Sequence, residues 1–182
     1  MTTYIGLLRA VNLPGHNKIG MSDLRGLLTG LGMRDVATLL QSGNVVFRSD
    51  VRAPSELEIL IETAAARRLQ LSTDLLVRSH KEWKAIIADN PFPKEAAQDP
   101  SHLLATPLKS APPRANVAAL QDAIAGREIV RVQSRCAYIV YPDGIGRSRL
   151  TSAVIEKKLG TRCTARNWNT VLKLDALADS LT

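Results

Sequence analysis

Cysteine and histidine are scarce in this chain. These residues form disulfides and bind most structural metals, so their scarcity argues against both kinds of site. Cys136 and Cys163 are the two cysteines among the 182 residues, and they form no C-x-x-C motif. We therefore expect reduced thiols and a cytoplasmic location. The three histidines lie far apart, with no cysteine or acidic residue at ligand spacing. The sequence thus predicts no metal site and no cofactor.

Long hydrophobic runs and aromatic residues are also missing. No segment approaches the roughly 18 apolar residues of a membrane-spanning helix, and the first ten residues lack a signal-peptide pattern. We therefore expect no membrane partner. Aromatic residues make up 4% of the chain, whereas RNA-recognition modules stack bases on aromatic side chains of their central strands. Tyr4 and Phe47 are poor substitutes for those side chains.

The chain does have an uneven basic charge. The formal net charge is +7, and residues 127–173 hold ten basic and three acidic residues, so the whole excess falls in this segment. Such a field attracts phosphate, nucleic acid or other anions. The alternative is a solvated basic face that keeps the protein soluble. The expected partner is an anionic ligand, which includes nucleic acid.

A hairpin at residues 41–47 organises the first half. Ser42, Gly43 and Asn44 tolerate turn backbone, and the next three residues are strand formers. Before the hairpin we predict a strand over residues 3–11, a helix over 22–31 capped by Ser22, and a strand over 36–40. The second hairpin strand runs to about residue 48. A helix then begins at residue 54, with Ser55 and Glu58 at capping-box spacing, and a strand follows over 71–78. The order is βαββαβ.

The second half repeats this order. Its predicted elements are a connecting helix over residues 80–89, a loop over 94–100, strands over 102–106, 128–132, 136–141 and 163–165, helices over 114–125 and 148–159, the latter capped by Ser148, and a last helix capped by Asn167 or Asn169. We therefore predict an α+β protein built by tandem duplication of a ferredoxin-like βαββαβ unit, with extra connecting and C-terminal helices. The halves are residues 1–79 and 80–182.

Several motifs resemble those of a known family. They are Leu8-Arg9-Ala10-Val11-Asn12, Asn17-Lys18-Ile19, the hairpin of residues 41–47, Arg147-Ser148-x-Leu150-Thr151, Glu156-x-x-Leu159-Gly160 and Arg166-Asn167-Trp168-Asn169-Thr170. These motifs are similar to those of the bacterial family catalogued as domain of unknown function sixteen-ninety-seven, over residues 4–173. The resemblance implies an α+β protein of two related halves and implies no activity.

The topology predicts two clusters of ligand-binding residues. In a βαββαβ sheet the loop after the first strand and the hairpin share one end, and the exits of the third and fourth strands share the other. The first cluster brings Arg9, Asn12, Asn17 and Lys18 beside Gln41, Ser42, Gly43 and Asn44. The second brings Gly144, Gly146, Arg147 and Ser148, at an expected helix N-terminus, beside Arg166 and Asn167. Two close guanidinium groups and a helix N-terminus suit a phosphate or carboxylate.

Catalytic groups are few around these clusters. His16 reads as a solvated loop residue, Ser42 lies outside a Gly-x-Ser-x-Gly elbow, and Cys163 is expected to be buried in a strand. The sequence therefore predicts an anion-binding protein without naming a reaction. The alternatives are an enzyme that acts on a phosphorylated small molecule and a protein–protein interaction module.

Overall fold

The computed structural model describes residues 1–15, 18–51 and 53–181. Across these residues it has two four-stranded antiparallel sheets and seven α-helices, so the predicted α+β class is confirmed. The chain divides into a first unit, Met1–Ala85 with Lys173–Thr182, and a second unit, Ile86–Leu172. Within the described ranges, no helix is long and apolar enough to span a bilayer.

The sheet of the first unit has the order β2-β3-β1-β4. Its strands are β1 (Thr2–Leu8), β2 (Arg34–Leu39), β3 (Asn44–Ser49) and β4 (Leu75–Ser79), and its first two helices are α1 (Met21–Gly30) and α2 (Pro54–Leu69). Strand β1 lies between two antiparallel neighbours and is buried from its second residue onward, which explains its continuous apolar sequence. Tyr4 and Phe47 stack across β1 and β3 with ring centroids 5.8 Å apart.

Apolar faces of the helices cover one face of this sheet. Leu24 and Leu28 of α1 and Leu57 and Ile61 of α2 share one core cluster with Tyr4 and other sheet residues. Both helices therefore bury an apolar face against the sheet, while Leu60 of α2 lies off that face and is 37% exposed.

The sheet of the second unit has the order β6-β7-β5-β8. Its strands are β5 (Leu103–Pro107), β6 (Ile129–Gln133), β7 (Cys136–Val140) and β8 (Arg166–Asn167). The remaining helices of the chain are α3 (His80–Ala88), α4 (Pro93–Gln98), α5 (Arg114–Asp122), α6 (Ser152–Leu159) and α7 (Trp168–Ser180), with a 3-10 turn at Ile145–Arg147. Residues from β7, α5 and α6 form the core of this unit.

Helix starts differ most from the predictions. The helix expected from Ser148 begins at Ser152, because Thr151 is its N-cap and accepts a hydrogen bond from Val154 N. Ser148 instead bonds the Glu128 carboxylate and accepts from Leu150 N. The N-cap of α1 is Gly20 rather than Ser22. Asn167 does cap α7, since its Oδ1 accepts from Thr170 N at 3.0 Å.

Three further predictions are wrong in detail. Part of the loop expected over residues 94–100 is helix α4, which Pro93 starts with its fixed φ. The last strand is displaced from residues 163–165 to β8, and Cys163 forms only an isolated bridge with Leu108. No capping box forms at α2 because Ala53 is its N-cap and Glu58 is buried.

Candidate functional site

The first cluster assembles where β1 ends against the β2–β3 turn. Leu8 N donates to Gly43 O at 2.9 Å, which joins the end of β1 to the hairpin. Arg9 turns to the other neighbour of β1, because its N donates to Asp74 O at 2.9 Å and its guanidinium lies 3.9 Å from the Asp74 carboxylate. The structure therefore brings the hairpin to the loop, while Arg9 pairs with an acid of its own unit.

Asn12 fixes the loop that follows β1. Its Oδ1 accepts from Ile19 N at 2.8 Å, and its Nδ2 donates to Ile19 O at 3.0 Å and to Gln41 O at 2.6 Å. The residue has a φ of 54°, in the left-handed region that Asn tolerates better than most residues. Its amide thus closes the loop and ties it to the hairpin.

The hairpin residues of the first cluster are mainly structural. Asn44 is fully buried, and its Nδ2 donates to Leu39 O at 2.9 Å and Ser42 Oγ at 2.8 Å. Gly43 has a φ of 73°, and a Cβ there would lie 2.7 Å from both Leu8 Cβ and Val11 Cγ2. These contacts hold the turn against β1, and Gln41 and Ser42 remain exposed at its tip.

A cavity of about 490 Å³ opens beside this loop. Lys18 supplies its cation, and the wall ends at Gly20, the N-cap of α1. Because Gly20 has no side chain, it cannot accept from the first N–H groups of α1, which carry the partial positive charge of a helix N-terminus. The residues that line the cavity are Asn12, Leu13, Pro14, Lys18, Ile19 and Gly20. Asn17, predicted for this site, and His16 lie outside the described residues.

An acidic side chain stands near the same helix end. Asp23 lies in the first turn of α1, and a Cβ built on Gly20 would be 2.9 Å from its Oδ2. The negative charge of the Asp23 carboxylate therefore offsets part of the positive charge at the helix N-terminus. Any anion in the cavity would meet both the attraction of Lys18 and the repulsion of Asp23.

The second cluster lies where β7 and β8 meet the start of β5. Val140 pairs with Leu103, and Asn167 pairs with Leu104, so the turn after β7 and the start of α7 share one end of the sheet. The predicted helix N-terminus is absent from this place, because the residues after Gly144 form a short 3-10 turn. Asn167 and Ser148 both use their side chains to cap or brace local backbone.

The two arginines of this cluster have different surroundings. Arg166 donates at 2.8 Å to Thr164 Oγ1 and to Ala165 O, and burial lowers its pKa to about 10. Arg147 is exposed and lies near Asp143. The pKa of that carboxyl is lowered chiefly by a hydrogen bond from Arg127, with a smaller contribution from Arg147. An anion held between Arg147 and Arg166 stays a prediction.

An Asp–His pair beside this turn was missed by the sequence reasoning. His102 Nδ1 lies 2.7 Å from Asp99 Oδ2, and a Cβ on Gly144 would lie 3.8 Å from His102 Nε2. The hydrogen bond with His102 lowers the pKa of Asp99. The signal was the i, i+3 spacing of the two residues, but Asp99 fell in a predicted loop and His102 at the start of a predicted strand.

A groove of about 480 Å³ lies along α2 of the first unit, beside Leu31 at the C-cap of α1. Ile59 is 65% exposed there and Leu60 37%, and Arg67 and Arg68 also line it. It is an exposed apolar surface of the kind that a protein–protein interaction module presents.

A family model described as "Protein of unknown function (DUF1697)" matches residues 1–138. The chain belongs to this family. The match confirms the resemblance read from the motifs, and the DUF1697 segment ends before the motifs that begin at Arg147 and Arg166.

A solved structure described as a conserved bacterial protein from Streptococcus pneumoniae is similar to this DUF1697 chain. It is 20% identical, the alignment covers 97% of this chain and 98% of that one, and the TM-score is 0.76. At this identity the likeness shows a shared fold alone. None of the curated proteins matches the chain.

Proposed function

We propose that this DUF1697 protein binds a small anionic ligand in the cavity beside the loop after β1. The observation that supports the proposal is the position of Lys18 in a cavity that also reaches the N-terminus of α1. A cation and a helix N-terminus together favour a phosphate or a carboxylate. Asn12 lines the cavity and also fixes the loop through its hydrogen bonds with Ile19.

The lining also bears on the kind of ligand. Leu13, Pro14 and Ile19 give the cavity apolar walls, and such walls suit the body of an organic molecule. We therefore expect a molecule with one anionic group and an apolar or aromatic body, such as a phosphorylated metabolite or a nucleotide. Inorganic phosphate alone should bind more weakly, because it cannot use these walls.

The test is a thermal-shift screen of nucleotides and phosphorylated metabolites at low salt, with three variants. Lys18→Met should lose the shift, and Asp23→Asn should increase it because a repelling carboxylate is removed. Lys94→Met, which removes an equal charge from an exposed position on α4, should leave it unchanged. A saturable shift that survives in Lys18→Met, or no shift with any phosphorylated compound, would refute the site.

A second candidate is polyanion binding by the basic surface of the second unit. The observation that favours it is the exposure of several basic residues in the charged segment, namely Arg131, Arg147, Arg149, Lys157 and Lys158. Affinity for nucleic acid should then fall steeply with salt, in proportion to the phosphates contacted. The paired variant Arg147→Ala and Arg149→Ala should reduce that slope, whereas Lys18→Met should not. Salt-insensitive or absent binding to an oligonucleotide would contradict this candidate.

We also propose that residues 1–79 and 80–182 arose by duplication of a ferredoxin-like unit, so that β1–β4 and β5–β8 are the corresponding sheets. In support, the orders β2-β3-β1-β4 and β6-β7-β5-β8 correspond position by position. An experimental structure in which β1–β4 fail to superpose in order on β5–β8 would contradict this. We also propose a cytoplasmic location, because both cysteines are free thiols rather than a disulfide. Cell fractionation would test the location.

A further inference from the structure

Four charged side chains face one another between α3 and α7 within the first unit. His80 and Lys84 are four residues apart on α3, and Asp175 and Asp179 are four residues apart on α7, so each pair lies on one helix face. His80 Nε2 lies 2.9 Å from Asp175 Oδ1 and 3.7 Å from Asp179 Oδ1. These acidic partners follow His80 about a hundred residues later in the chain, so no spacing along the sequence indicates them.

The spacing of these atoms is that of metal ligands. The imidazole nitrogen and one oxygen of each carboxylate all lie within 4.8 Å of one another. Zinc bonds to histidine nitrogen and carboxylate oxygen are about 2.0–2.2 Å long, which places neighbouring tetrahedral ligands about 3.4 Å apart. The distances from His80 Nε2 to the two carboxylates lie on either side of this value. We propose that His80, Asp175 and Asp179 bind a divalent transition-metal cation, with Zn²⁺ the best fit.

The ligand types select among cations. An imidazole nitrogen suits Zn²⁺, Co²⁺ and Ni²⁺, whereas Mg²⁺ and Ca²⁺ prefer a shell made only of oxygen. Three protein ligands also leave a fourth tetrahedral position for water. The side chain of His80 is 12% exposed and that of Asp179 is 55% exposed, so the site is open to solvent on one side.

Lys84 is the competitor of the metal at this site. Its Nζ lies 3.5 Å from the Asp175 carboxylate and 3.1 Å from that of Asp179, and the hydrogen bond with Asp179 is the main cause of its raised pKa. A cation bound by the same carboxylates must displace this ammonium group. Removal of the lysine charge should therefore strengthen metal binding, by roughly tenfold for the loss of two surface ion pairs.

The experiment is a titration of the full-length protein with Zn²⁺, followed by calorimetry and by melting temperature, with Co²⁺ as a spectroscopic probe. The wild type should bind one equivalent of Zn²⁺, melt at least about 2 °C higher when saturated, and bind Co²⁺ with the strong visible absorption of tetrahedral geometry. Lys84→Met should bind about tenfold more tightly, and His80→Asn should lose the binding. Mg²⁺ should cause no shift.

His102→Asn is the matched control. It removes a histidine that also lies 2.7 Å from an aspartate but belongs to no group of three such ligands among the described residues. Zinc binding should be unchanged in this variant. The proposal is overturned if neither the wild type nor Lys84→Met binds Zn²⁺, if the binding persists in His80→Asn, or if Lys84→Met binds no more tightly than the wild type.

Discussion

Replacement of Gly43 by alanine should destabilise the protein strongly, through the joint between β1 and the hairpin. The new Cβ would lie 2.7 Å from Leu8 Cβ and from Val11 Cγ2, and Gly43 has a φ of 73°. Left-handed backbone costs an L-residue about 1–2 kcal/mol, and overpacking of a buried contact adds about 1–3 kcal/mol. The free energy of unfolding should therefore fall by roughly 2–5 kcal/mol.

Gly32→Ala is the control that separates these two contributions. Gly32 has a φ of 85°, and a Cβ there would meet no heavy atom within 4 Å. This variant should lose only the backbone contribution of about 1–2 kcal/mol. The assay is urea unfolding followed by circular dichroism, with the m-value checked for constancy. If Gly43→Ala costs no more than Gly32→Ala, the close approach of the turn to Leu8 and Val11 is refuted.

Three further changes test the first and second units by urea unfolding. Asn12→Ala removes three hydrogen bonds of the loop and should cost about 1–3 kcal/mol; no loss would show that the loop closes without it. Glu58→Gln removes the carboxylate charge that lies 3.9 Å from the guanidinium of buried Arg78 and should cost about 3 kcal/mol, whereas exposed Glu56→Gln should cost little; equal costs would contradict a buried ion pair. Burial raises the pKa of the Tyr141 phenol to about 12. The stability that the neutral phenol contributes is therefore complete below about pH 10, the pKa of an unfolded tyrosine, and is lost as the pH rises to about 12. Tyr141→Phe should lack that part of the alkaline loss, and an unchanged pH profile would contradict the burial effect.

The parts of the fold that could be predicted are those with local signals. The apolar run of β1 and the Ser-Gly-Asn turn each depend on neighbouring residues. The turn occurs where expected, and β1 is present but ends at Leu8 rather than at residue 11, because Ala10 has a φ of 50°. The predicted proximity of the hairpin to the loop after β1 followed from strand directions alone. The antiparallel pairing of β1 with β3 supplies the same directions in the structure.

The parts that could not be predicted depend on distant partners. Ser148 was expected to cap a helix, but it bonds Glu128, which lies 20 residues away. Glu58 had capping-box spacing, but its carboxylate accepts from Val77 N on a neighbouring strand. His80 meets Asp175 across 95 residues. In each case the side chain bonds a residue that is distant in the sequence. The spacing of residues along the chain does not indicate such a partner.

The most direct test of the proposed function is an amide NMR titration of the ¹⁵N-labelled protein with the best phosphorylated compound of the screen. If the loop cavity binds the anionic group, the largest saturable shifts will be at Lys18, Ile19 and the first turn of α1, and Lys18→Met will abolish them. If the largest shifts instead fall on Arg131, Arg147 and Arg149 of the second unit, or if no amide shifts at low salt, the loop cavity is not the anion site.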